Sequence, residues 1–525
     1  MDKIINRSRN FYYNNKKELF TALVSTYVLG LIAHAYGFLN NIFSHDSLNA
    51  LYADITEEKW KIALGRFIVP VFRMFRGPVS LPLIIGLSGV FYVFLSTFLI
   101  IKMLNINSKP IIVIVSGLMI TNITFTACTA TYIYELDFDM FALLLAVCSV
   151  YMWKNRKGIV SVICSVCLMI LSLGIYQSNI TVITTLMIIV LIFNILDGHA
   201  FSDVFKKGAI GVSMTAVSAV IYYAVSKLLP AVMHVTAESR TDALNVSDSL
   251  SQNVTFFNSF NAMVYYEIDS VINPASVLPK PLTTAANIIL IFFGTITALF
   301  LIIRLGKNKT KEKILLAALF AMLPFSIGFI EILTKGSMHE LMIFSFWFIP
   351  ILILLLTFKI NKNKSHGNFK KNAAATVSII CIAITIWNNI LVANTAYLKK
   401  DLELTSTISA LNRVVADLED RDDYSVGETQ LCFIGSNFLS SNEPGFESVK
   451  NIEGLEFTSS IGIAGKSWYY SSYDKFFRYF LNYPVNITDR SFITQGIHDK
   501  IMEMPSFPSD GYIQNFNGIL VIKSN

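Results

Sequence analysis

Residues 79 to 101 read VSLPLIIGLSGVFYVFLSTFLII, a run without a single charged residue. A helix needs about 20 apolar residues to cross the hydrocarbon core of a bilayer, so this stretch predicts a membrane-spanning helix. The composition of the whole chain agrees, because 54% of its 525 residues are hydrophobic and only 15% are charged. Such a composition is typical of an α-helical polytopic membrane protein and not of a soluble one.

Eleven apolar segments of this kind occur along the chain. They cover residues 18 to 38, 79 to 101, 110 to 131, 138 to 153, 158 to 176, 179 to 196, 209 to 229, 285 to 303, 314 to 333, 340 to 358 and 373 to 395. The first segment follows Lys16 and Lys17 and lacks the small-residue pattern of a cleavage site. We therefore expect about eleven transmembrane helices, the first of them a retained signal anchor.

Lysine and arginine are concentrated in every second loop between these segments. The N-terminal segment and the loops on its side of the membrane hold 22 of the 42 basic residues, whereas the alternate loops between residues 39 and 339 hold eight. By the positive-inside rule, the N-terminus is cytoplasmic and everything after the eleventh segment lies outside. The same asymmetry accounts for the net charge of +6, so the sequence gives no reason to expect nucleic-acid binding.

The predicted topology divides the chain into two domains. Residues 1 to 396 form a transmembrane domain with two large outward loops, 39 to 78 and 230 to 284. Residues 397 to 525 form an outward tail in which acidic residues outnumber basic ones. Candidate catalytic groups on the outward loops and tail therefore place any reaction on the outer face of the membrane.

The tail has the pattern of a small α/β domain. Residues 397 to 420 have apolar positions at helical spacing and are predicted to continue the last span into water. Residues 430 to 435 (QLCFIG) and 518 to 523 (GILVIK) are typical of buried strands, and residues 473 to 481 between them are typical of a helix.

The first outward loop contains His45 and Asp46, a few residues after the first span. At the boundary between water and lipid, partial desolvation raises the pKa of a carboxylate and makes it a better base. Asp46 is therefore a candidate base for deprotonating a hydroxyl, with His45 beside it. An alternative is that Asp46 caps a short helix that begins at Ser47.

Three arginines follow in the same loop. Arg66, Arg73 and Arg76 have the spacing i, i+7 and i+10, which places them on one side of a helix that lies in the membrane interface. Arginine binds phosphate through a planar fork of donors, so this stripe is a candidate site for the phosphate of a lipid carrier. Contact with ordinary anionic head groups is the alternative, and Pro70 either breaks this helix or begins its second half.

Other polar groups lie at predicted outward ends of spans. Glu135 is a second candidate catalytic carboxylate, although an acidic turn in an outward loop needs no functional explanation. The remaining groups could hydrogen-bond sugar or phosphate oxygens, or merely cap a span or form a solvated turn: Tyr176, Gln177, His339 and Glu340.

Several classes of site are missing from the sequence. No GxxxxGK[ST] or GxGxxG motif occurs, and no histidine and cysteine cluster has zinc spacing. No metal site or bound cofactor is therefore expected, although the sequence leaves a requirement for a divalent metal open. The spans are free of charged residues except near their ends, which counts against a transporter or flippase. All seven histidines fall in loops or near span ends, which counts against a membrane O-acyltransferase with a buried histidine.

Three motifs, taken in order, point to a known family. They are His45-Asp46-Ser47 followed by Gly65-Arg66, the span end Gly174-Ile-Tyr176-Gln177, and the terminal run Met504-Pro505-Ser-Phe507-Pro508-Ser-Asp510-Gly511 before the last predicted strand. With these motifs, the chain resembles the phage-borne, serotype-converting O-antigen glucosyltransferases, which are similar to the wider GT-C membrane glycosyltransferases.

The resemblance implies a fold, a reaction and a location. It implies a GT-C-like membrane glycosyltransferase that takes a sugar, typically glucose, from a polyprenyl-phosphate carrier and attaches it to O-antigen repeat units of lipopolysaccharide. The reaction would take place on the periplasmic face of the bacterial inner membrane, with Asp46 as general base and Arg66 as phosphate ligand. The expected chemistry is an inverting single displacement that uses a lipid-linked donor and no cofactor. A lipid-linked oligosaccharide flippase and a membrane O-acyltransferase that modifies surface polysaccharide are the alternatives.

Overall fold

The computed structural model of the protein describes residues 2–42, 47–48, 50–53, 55–156, 158–235, 253–306, 308–334, 338–360, 373–435 and 470–524. Most of these residues are helical. In chain order the α-helices are α1 (Asp2–Leu39), α2 (Ile55–Ala63), α3 (Val69–Arg76), α4 (Pro82–Met103), α5 (Lys109–Ile120), α6 (Ile123–Thr131), α7 (Leu136–Lys154), α8 (Ile159–Leu173), α9 (Asn179–Leu196), α10 (Phe201–Val232), α11 (Asn253–Ile272), α12 (Lys280–Arg304), α13 (Thr310–Leu333), α14 (Phe348–Lys359), α15 (Ala373–Glu419), α16 (Tyr470–Phe480) and α17 (Gln495–Glu503).

Within the described residues, eight helical segments are long and apolar enough to cross a bilayer. They are Tyr13–Leu39, Pro82–Met103, Lys109–Thr131, Asn179–Leu196, Phe201–Val232, Lys280–Arg304, Thr310–Leu333 and Ala373–Glu419. Two shorter apolar helices, Ile159–Leu173 and Phe344–Lys359, accompany them. The protein is therefore a polytopic helical membrane protein, as predicted.

Each of the eleven predicted apolar segments overlaps at least one helix in the structure. The match is closest for residues 179 to 196, which are α9, and looser for residues 138 to 153, which lie inside the longer α7. How many of these helices cross the bilayer, and in which direction, stays a prediction.

Two of the predicted spans are not continuous α-helices. Residues 340 to 358 begin with two 3₁₀ turns, Glu340–Met342 and Phe344–Trp347, before α14. Residues 110 to 131 lie within one of the eight apolar segments, but the helix is interrupted there at Asn122 and divides into α5 and α6. The side chain of Asn122 stabilises the break, because its Oδ1 accepts a hydrogen bond from the backbone N–H of Phe125 at 2.9 Å and its Nδ2 donates to the carbonyl of Met119 at 2.6 Å. Asn122 is the N-cap of α6. The positive end of the α6 dipole therefore lies inside the apolar core.

The core of the helix bundle is built around α4, α5, α7 and α9. Trp153, Phe125 and Phe348 are among its largest fully buried side chains. In contrast, α10 and α12 keep most of their apolar side chains exposed. Exposed apolar surface on a membrane helix is the surface that contacts lipid.

One histidine is buried inside the bundle. His34 lies near the C-terminal end of α1, as predicted, but it has no exposed surface. Its Nε2 lies 2.8 Å from the carbonyl oxygen of Ile120, and its Nδ1 lies 2.7 Å from the Tyr397 hydroxyl. Both ring nitrogens are occupied, so His34 joins α1 to α5 and α15 and has no lone pair available for catalysis.

The tail contains a four-stranded sheet with the order β2-β1-β4-β3. Its strands are β1 (Gln430–Ile434), β2 (Asn486–Ile487), β3 (Ile513–Phe516) and β4 (Ile519–Lys523). Strand β1 pairs in parallel with both β2 and β4, whereas β3 and β4 are antiparallel. The two strands predicted at residues 430 to 435 and 518 to 523 are therefore β1 and β4, and they lie side by side.

A single helix connects this sheet to the bundle. Helix α15 runs through the predicted domain boundary at residue 396 without a break. Leu411 and Leu418, beyond that boundary, pack in one cluster with Leu431 and Leu520 of the sheet. Leu48 of the first outward loop belongs to the same cluster.

The terminal motif packs on the outer half of α15. The Tyr512 hydroxyl donates to Asp417 Oδ2 at 2.7 Å, and the Arg413 guanidinium lies 4.8 Å from the centre of the Phe507 ring. Lys523 Nζ donates to the carbonyl oxygens of Met502 and Met504 at 2.9 and 2.7 Å. In this structure these motif residues hold the terminal segment against the helix.

Candidate active site

The described part of the first outward loop folds into two short helices against the acidic turn that precedes α7. The turn is a 3₁₀ helix, Ile133–Glu135, and Glu135 is 5% exposed. One of its carboxylate oxygens binds the ammonium of Lys61 in α2, and the other accepts from Arg66 Nη1 at 2.6 Å. Lys61 was not a predicted site residue, yet it is 2% exposed and is one of the two cations that hold Glu135.

The two cations decide the charge of Glu135. Burial alone raises the pKa of a carboxyl group, but the charges and hydrogen bonds of Arg66 and Lys61 outweigh burial and lower the pKa of Glu135 to about 2. The carboxylate is therefore ionised at neutral pH and is a weak base. In this arrangement Glu135 positions Lys61 and Arg66 instead of taking a proton from a substrate.

Arg66 occupies a sharp turn between α2 and α3. The turn requires Gly65, whose φ is +74° and whose added Cβ would lie 2.6 Å from the Tyr222 hydroxyl. The Arg66 guanidinium lies 5.0 Å from the centre of the Tyr176 ring, so it is held between a carboxylate and an aromatic face. The positive φ of Gly65 and the nearby Tyr222 hydroxyl explain why glycine precedes the arginine.

The three arginines do not share one helix. Pro70 is in the first turn of α3 and begins that helix, so Arg66 stays outside it. Arg73 lies 3.3 Å from the carboxylates of both Glu57 and Glu58. Arg66 and Arg73 of the predicted stripe thus bind carboxylates of the protein itself and do not form one open anion-binding surface.

Arg76 completes this set of ion pairs. Its Nη1 donates to Asp137 Oδ1 at 3.0 Å and to the carbonyl oxygen of Tyr134 at 2.9 Å. The side chain of Arg66 is 18% exposed, compared with 3% for Arg73 and 8% for Arg76. Arg66 is therefore the arginine of the three best placed to contact a ligand.

The opposite side of α3 is apolar and open. Val71, Met74 and Phe75 follow helical spacing and are 49%, 82% and 89% exposed. Helix α3 thus has one charged and one apolar face, a pattern typical of a helix in the membrane interface, and its location there stays a prediction. Arg73 and Arg76 on its charged face bind the protein's own carboxylates.

The predicted pair Tyr176 and Gln177 lies between α8 and α9, next to Arg66. Gln177 Nε2 donates to the carbonyl oxygen of Leu64 at 2.7 Å, so this amide holds the Gly65 turn in place. Tyr176 is 8% exposed and lies between Arg66 and a narrow pocket. The structure therefore brings Arg66, Tyr176, Gln177 and Glu135 together.

The pocket beside Tyr176 is formed largely by residues that were not predicted. Its other lining residues are Thr124, Cys128, Asp139, Met140, Leu143, Ser178, Asn179, Val182, Leu341, Met342 and Phe344. Asp139 Oδ2 lies 3.7 Å from Cys128 Sγ. The sequence signal that could have found this pocket is the polar run Thr121-Asn122-Ile-Thr124 in the middle of an apolar segment.

The predicted pair His339 and Glu340 lies close to the same pocket. Glu340 begins a 3₁₀ turn, Glu340–Met342, that packs against α6. Leu341 and Met342 of this turn form part of the pocket wall. His339 and Glu340 were the predicted site residues of this loop. The residues that line the pocket are the adjacent apolar ones, Leu341 and Met342.

The predicted base lies outside the described residues, as does His45 beside it. Two residues that follow Asp46 are described: Ser47 Oγ donates to the carbonyl oxygen of Thr131 at 3.0 Å, and Leu48 is 3% exposed. Thr131 ends α6, two residues before the turn that carries Glu135. Within the described ranges, no group of three histidine, cysteine, aspartate or glutamate residues is arranged to hold a metal ion.

Comparison with known families decides the identity of this arrangement. The family model described as glucosyl transferase GtrII matches residues 35–346. The chain belongs to the GtrII family. No curated protein matches the chain. The matched region contains both outward loops, Lys61, Arg66, Glu135 and the pocket residues up to Phe344, so the site described above lies within the part that defines a GtrII protein.

Membership assigns a class of activity to this membrane-embedded site. A GtrII protein is a glycosyltransferase, which uses a sugar donor and an acceptor. The terminal motif at residues 504 to 511 lies beyond the matched residues. The residues that match the family model therefore include both outward loops but not the terminal sheet.

Proposed function

We propose that this GtrII protein transfers a glucosyl group from a polyprenyl-phosphate carrier to O-antigen repeat units of lipopolysaccharide, at the periplasmic face of the bacterial inner membrane. The observation that best supports this proposal is the position of Arg66. Its guanidinium lies between Glu135 and Tyr176, beside a polar pocket and next to an interfacial helix with an exposed apolar face. A donor that combines a phosphate, a sugar and a long apolar chain matches these three surroundings.

The charges of the site suit a phosphodiester-like donor. Arg66 has five N–H donors, of which Glu135 uses one at 2.6 Å. A phosphate that approaches Arg66 can bind the remaining donors while Glu135 keeps the guanidinium in place. Lys61 balances the negative charge of Glu135, so the donor phosphate does not meet an uncompensated carboxylate.

The proposed reaction is a single displacement at the anomeric carbon. The acceptor hydroxyl attacks this carbon, its proton passes to the carboxylate of Asp46, and the bond between the anomeric carbon and the phosphate oxygen breaks. The electron pair of that bond leaves with the polyprenyl phosphate, whose charge Arg66 stabilises. The configuration at the anomeric carbon is inverted, and no cofactor takes part.

Reconstitution with defined donors tests the proposal. The purified protein in liposomes is expected to transfer glucose from polyprenyl phosphate glucose to an O-antigen acceptor, and not to transfer it from UDP-glucose. The anomeric configuration of the product, measured by NMR, reports inversion or retention. Transfer from UDP-glucose alone would overturn the lipid-linked donor, and transport of the lipid without transfer would favour a flippase.

The proposed orientation has its own test. Reporter fusions after Lys400 are expected to be active only with a reporter that works in the periplasm, because the basic residues are concentrated in the loops of the opposite side. Activity of a cytoplasm-specific reporter at that position would reverse the topology and the location of the site.

A further inference from the structure

We propose that the pocket beside Tyr176 is a specificity subsite that binds one hydroxyl group of the transferred hexose through Thr124, Asp139 and Asn179. This inference rests on the proposed function, because it assigns the part of the site that recognises the sugar. Asp139 and Asn179 come from α7 and α9, and Thr124 comes from the first turn of α6. The subsite thus depends on the helix break at Asn122.

Three polar atoms of this pocket are buried without a hydrogen-bond partner in the structure. They are Thr124 Oγ1, Asp139 Oδ1 and Asn179 Nδ2, on side chains that are 3%, 7% and 4% exposed. Buried polar groups are nearly always hydrogen-bonded, because leaving them unpaired is costly. Three such atoms on the lining of one pocket therefore indicate a polar ligand that completes them.

Thr124 differs from Thr126 and Thr129 of the same helix. Thr126 and Thr129 donate to carbonyl oxygens four residues earlier, at 3.3 and 2.9 Å. This bond is the ordinary way in which a buried threonine satisfies its hydroxyl in a helix. The Thr124 hydroxyl makes no such bond, so it is available to a group in the pocket.

The chemistry of the three atoms matches a hydroxyl group. The Asp139 oxygen accepts a hydrogen bond, the Asn179 amide donates one, and the Thr124 hydroxyl does either. A hydroxyl group is itself both a donor and an acceptor. The pocket is narrow, with room for about one group of the size of a water molecule, so it admits a single hydroxyl and not a sugar ring.

The position of the pocket connects it to the phosphate site. The side chain of Tyr176 lines the pocket and also carries the Arg66 guanidinium on its ring face. A hexose whose phosphate binds Arg66 is thus one aromatic side chain away from the pocket. Leu341, Met342 and Phe344 close the far side with apolar surface, which favours a hydroxyl over a charged group.

A series of deoxy donors tests this subsite. Polyprenyl phosphate glucose is compared with donors on the same lipid in which the 2-, 3-, 4- or 6-hydroxyl is replaced by hydrogen. We expect the parent protein to discriminate against one member of the series by a factor of up to about 10⁴ in kcat/KM, because that donor leaves the buried polar groups unpaired. Equal acceptance of every deoxy donor would overturn the proposal.

Two variants and a matched control locate the discrimination. Thr124→Val and Asn179→Leu should lower kcat/KM for the glucosyl donor much more than for the discriminated deoxy donor, so that their ratio falls toward one. Thr97→Val is the control, because the Thr97 hydroxyl is also buried and unpartnered but lies in α4, outside the pocket lining. A proportional loss with every donor would mean that the pocket holds only a structural water.

A binding measurement separates this inference from the transfer reaction. Polyprenyl phosphate glucose should raise the thermal unfolding temperature of the parent protein more than polyprenyl phosphate alone, and Thr124→Val should remove the difference. This result without any transfer would retain the subsite and reject the proposed reaction. Transfer without any dependence on Thr124 or Asn179 would reject the subsite and retain the reaction.

Discussion

The guanidinium of Arg76 and the carboxylate of Asp137 form a buried ion pair, with 3.0 Å between Nη1 and Oδ1. It joins helix α3 to the first turn of α7. The side chains are 8% and 2% exposed, so both charges are removed from water. In such a pair each charge depends on the other, because removal of one partner leaves an uncompensated buried charge.

Arg76→Ala should therefore act on stability. We expect the free energy of unfolding to fall by about 3 to 5 kcal/mol, since Asp137 is left unpaired. The double variant Arg76→Leu with Asp137→Leu should recover most of this loss, because it removes both charges together. Thermal unfolding in detergent measures the effect. A stable Arg76→Ala protein with a raised KM for the lipid donor would instead identify Arg76 as a phosphate ligand.

Arg66→Ala should act on donor use. A charge-assisted hydrogen bond contributes about 1.5 to 3 kcal/mol, which corresponds to a change of roughly tenfold or more in KM or kcat for the donor. Arg66→Lys should retain part of the activity, because it keeps the charge but loses the planar fork of donors. Arg478→Ala is the control, since Arg478 pairs with Asp474 on the exposed face of α16. Parent-like kinetics of Arg66→Ala would exclude it from the donor site.

Asp46→Asn tests the proposed base. Asparagine caps a helix as well as aspartate does, but it cannot accept the acceptor proton, so transfer should fall by about 10² to 10⁴-fold with donor binding retained. If Asp46 is only a cap, Asp46→Asn stays active and Asp46→Ala loses about 1 kcal/mol of stability. Both variants are compared in one transfer assay at matched expression. An active Asp46→Asn protein would shift the search for the base to other outward carboxylates.

The lowered pKa of Glu135 predicts how stability depends on acid. Between its ordinary value of 4.5 and its folded value of about 2, the unfolded chain binds a proton that the folded protein does not. Stability should therefore be complete above pH 4.5 and should fall as the pH drops toward 2. Glu135→Gln should flatten this part of the profile of unfolding temperature against pH. An unchanged slope in the variant would mean that other carboxylates cause the acid sensitivity.

The sequence predicted the helices and strands better than the contacts between them. Residues 179 to 196 form an uninterrupted apolar run, and the helix found there has the same bounds. Hydropathy averaged over such a window does not register one polar residue that faces inward. For this reason the sequence pattern did not distinguish Asn122, Thr124 and Asn179 from the apolar residues of the predicted spans.

The arrangement of charges was beyond the reach of sequence patterns for a different reason. Lys61 and Glu135 are separated by 74 residues, and only the packing of the first outward loop against the turn before α7 brings them together. The spacing of Arg66, Arg73 and Arg76 predicted one helix, whereas only Arg73 and Arg76 lie in α3 and Arg66 precedes it. The spacing could not indicate that each arginine has its own carboxylate partners, because those lie on other segments.

Helix α15 continues without a break from the helix bundle toward the terminal sheet. An α-helix turns by about 100° and rises by 1.5 Å with each residue. One residue inserted into α15 between the bundle and the sheet would therefore rotate the sheet about the helix axis by about 100°. Leu48, which belongs to the same hydrophobic cluster as Leu411 and Leu418 of this helix, would be displaced relative to them by the same rotation. The length of α15 therefore sets the angle, around the axis of this helix, between the terminal sheet and the first outward loop.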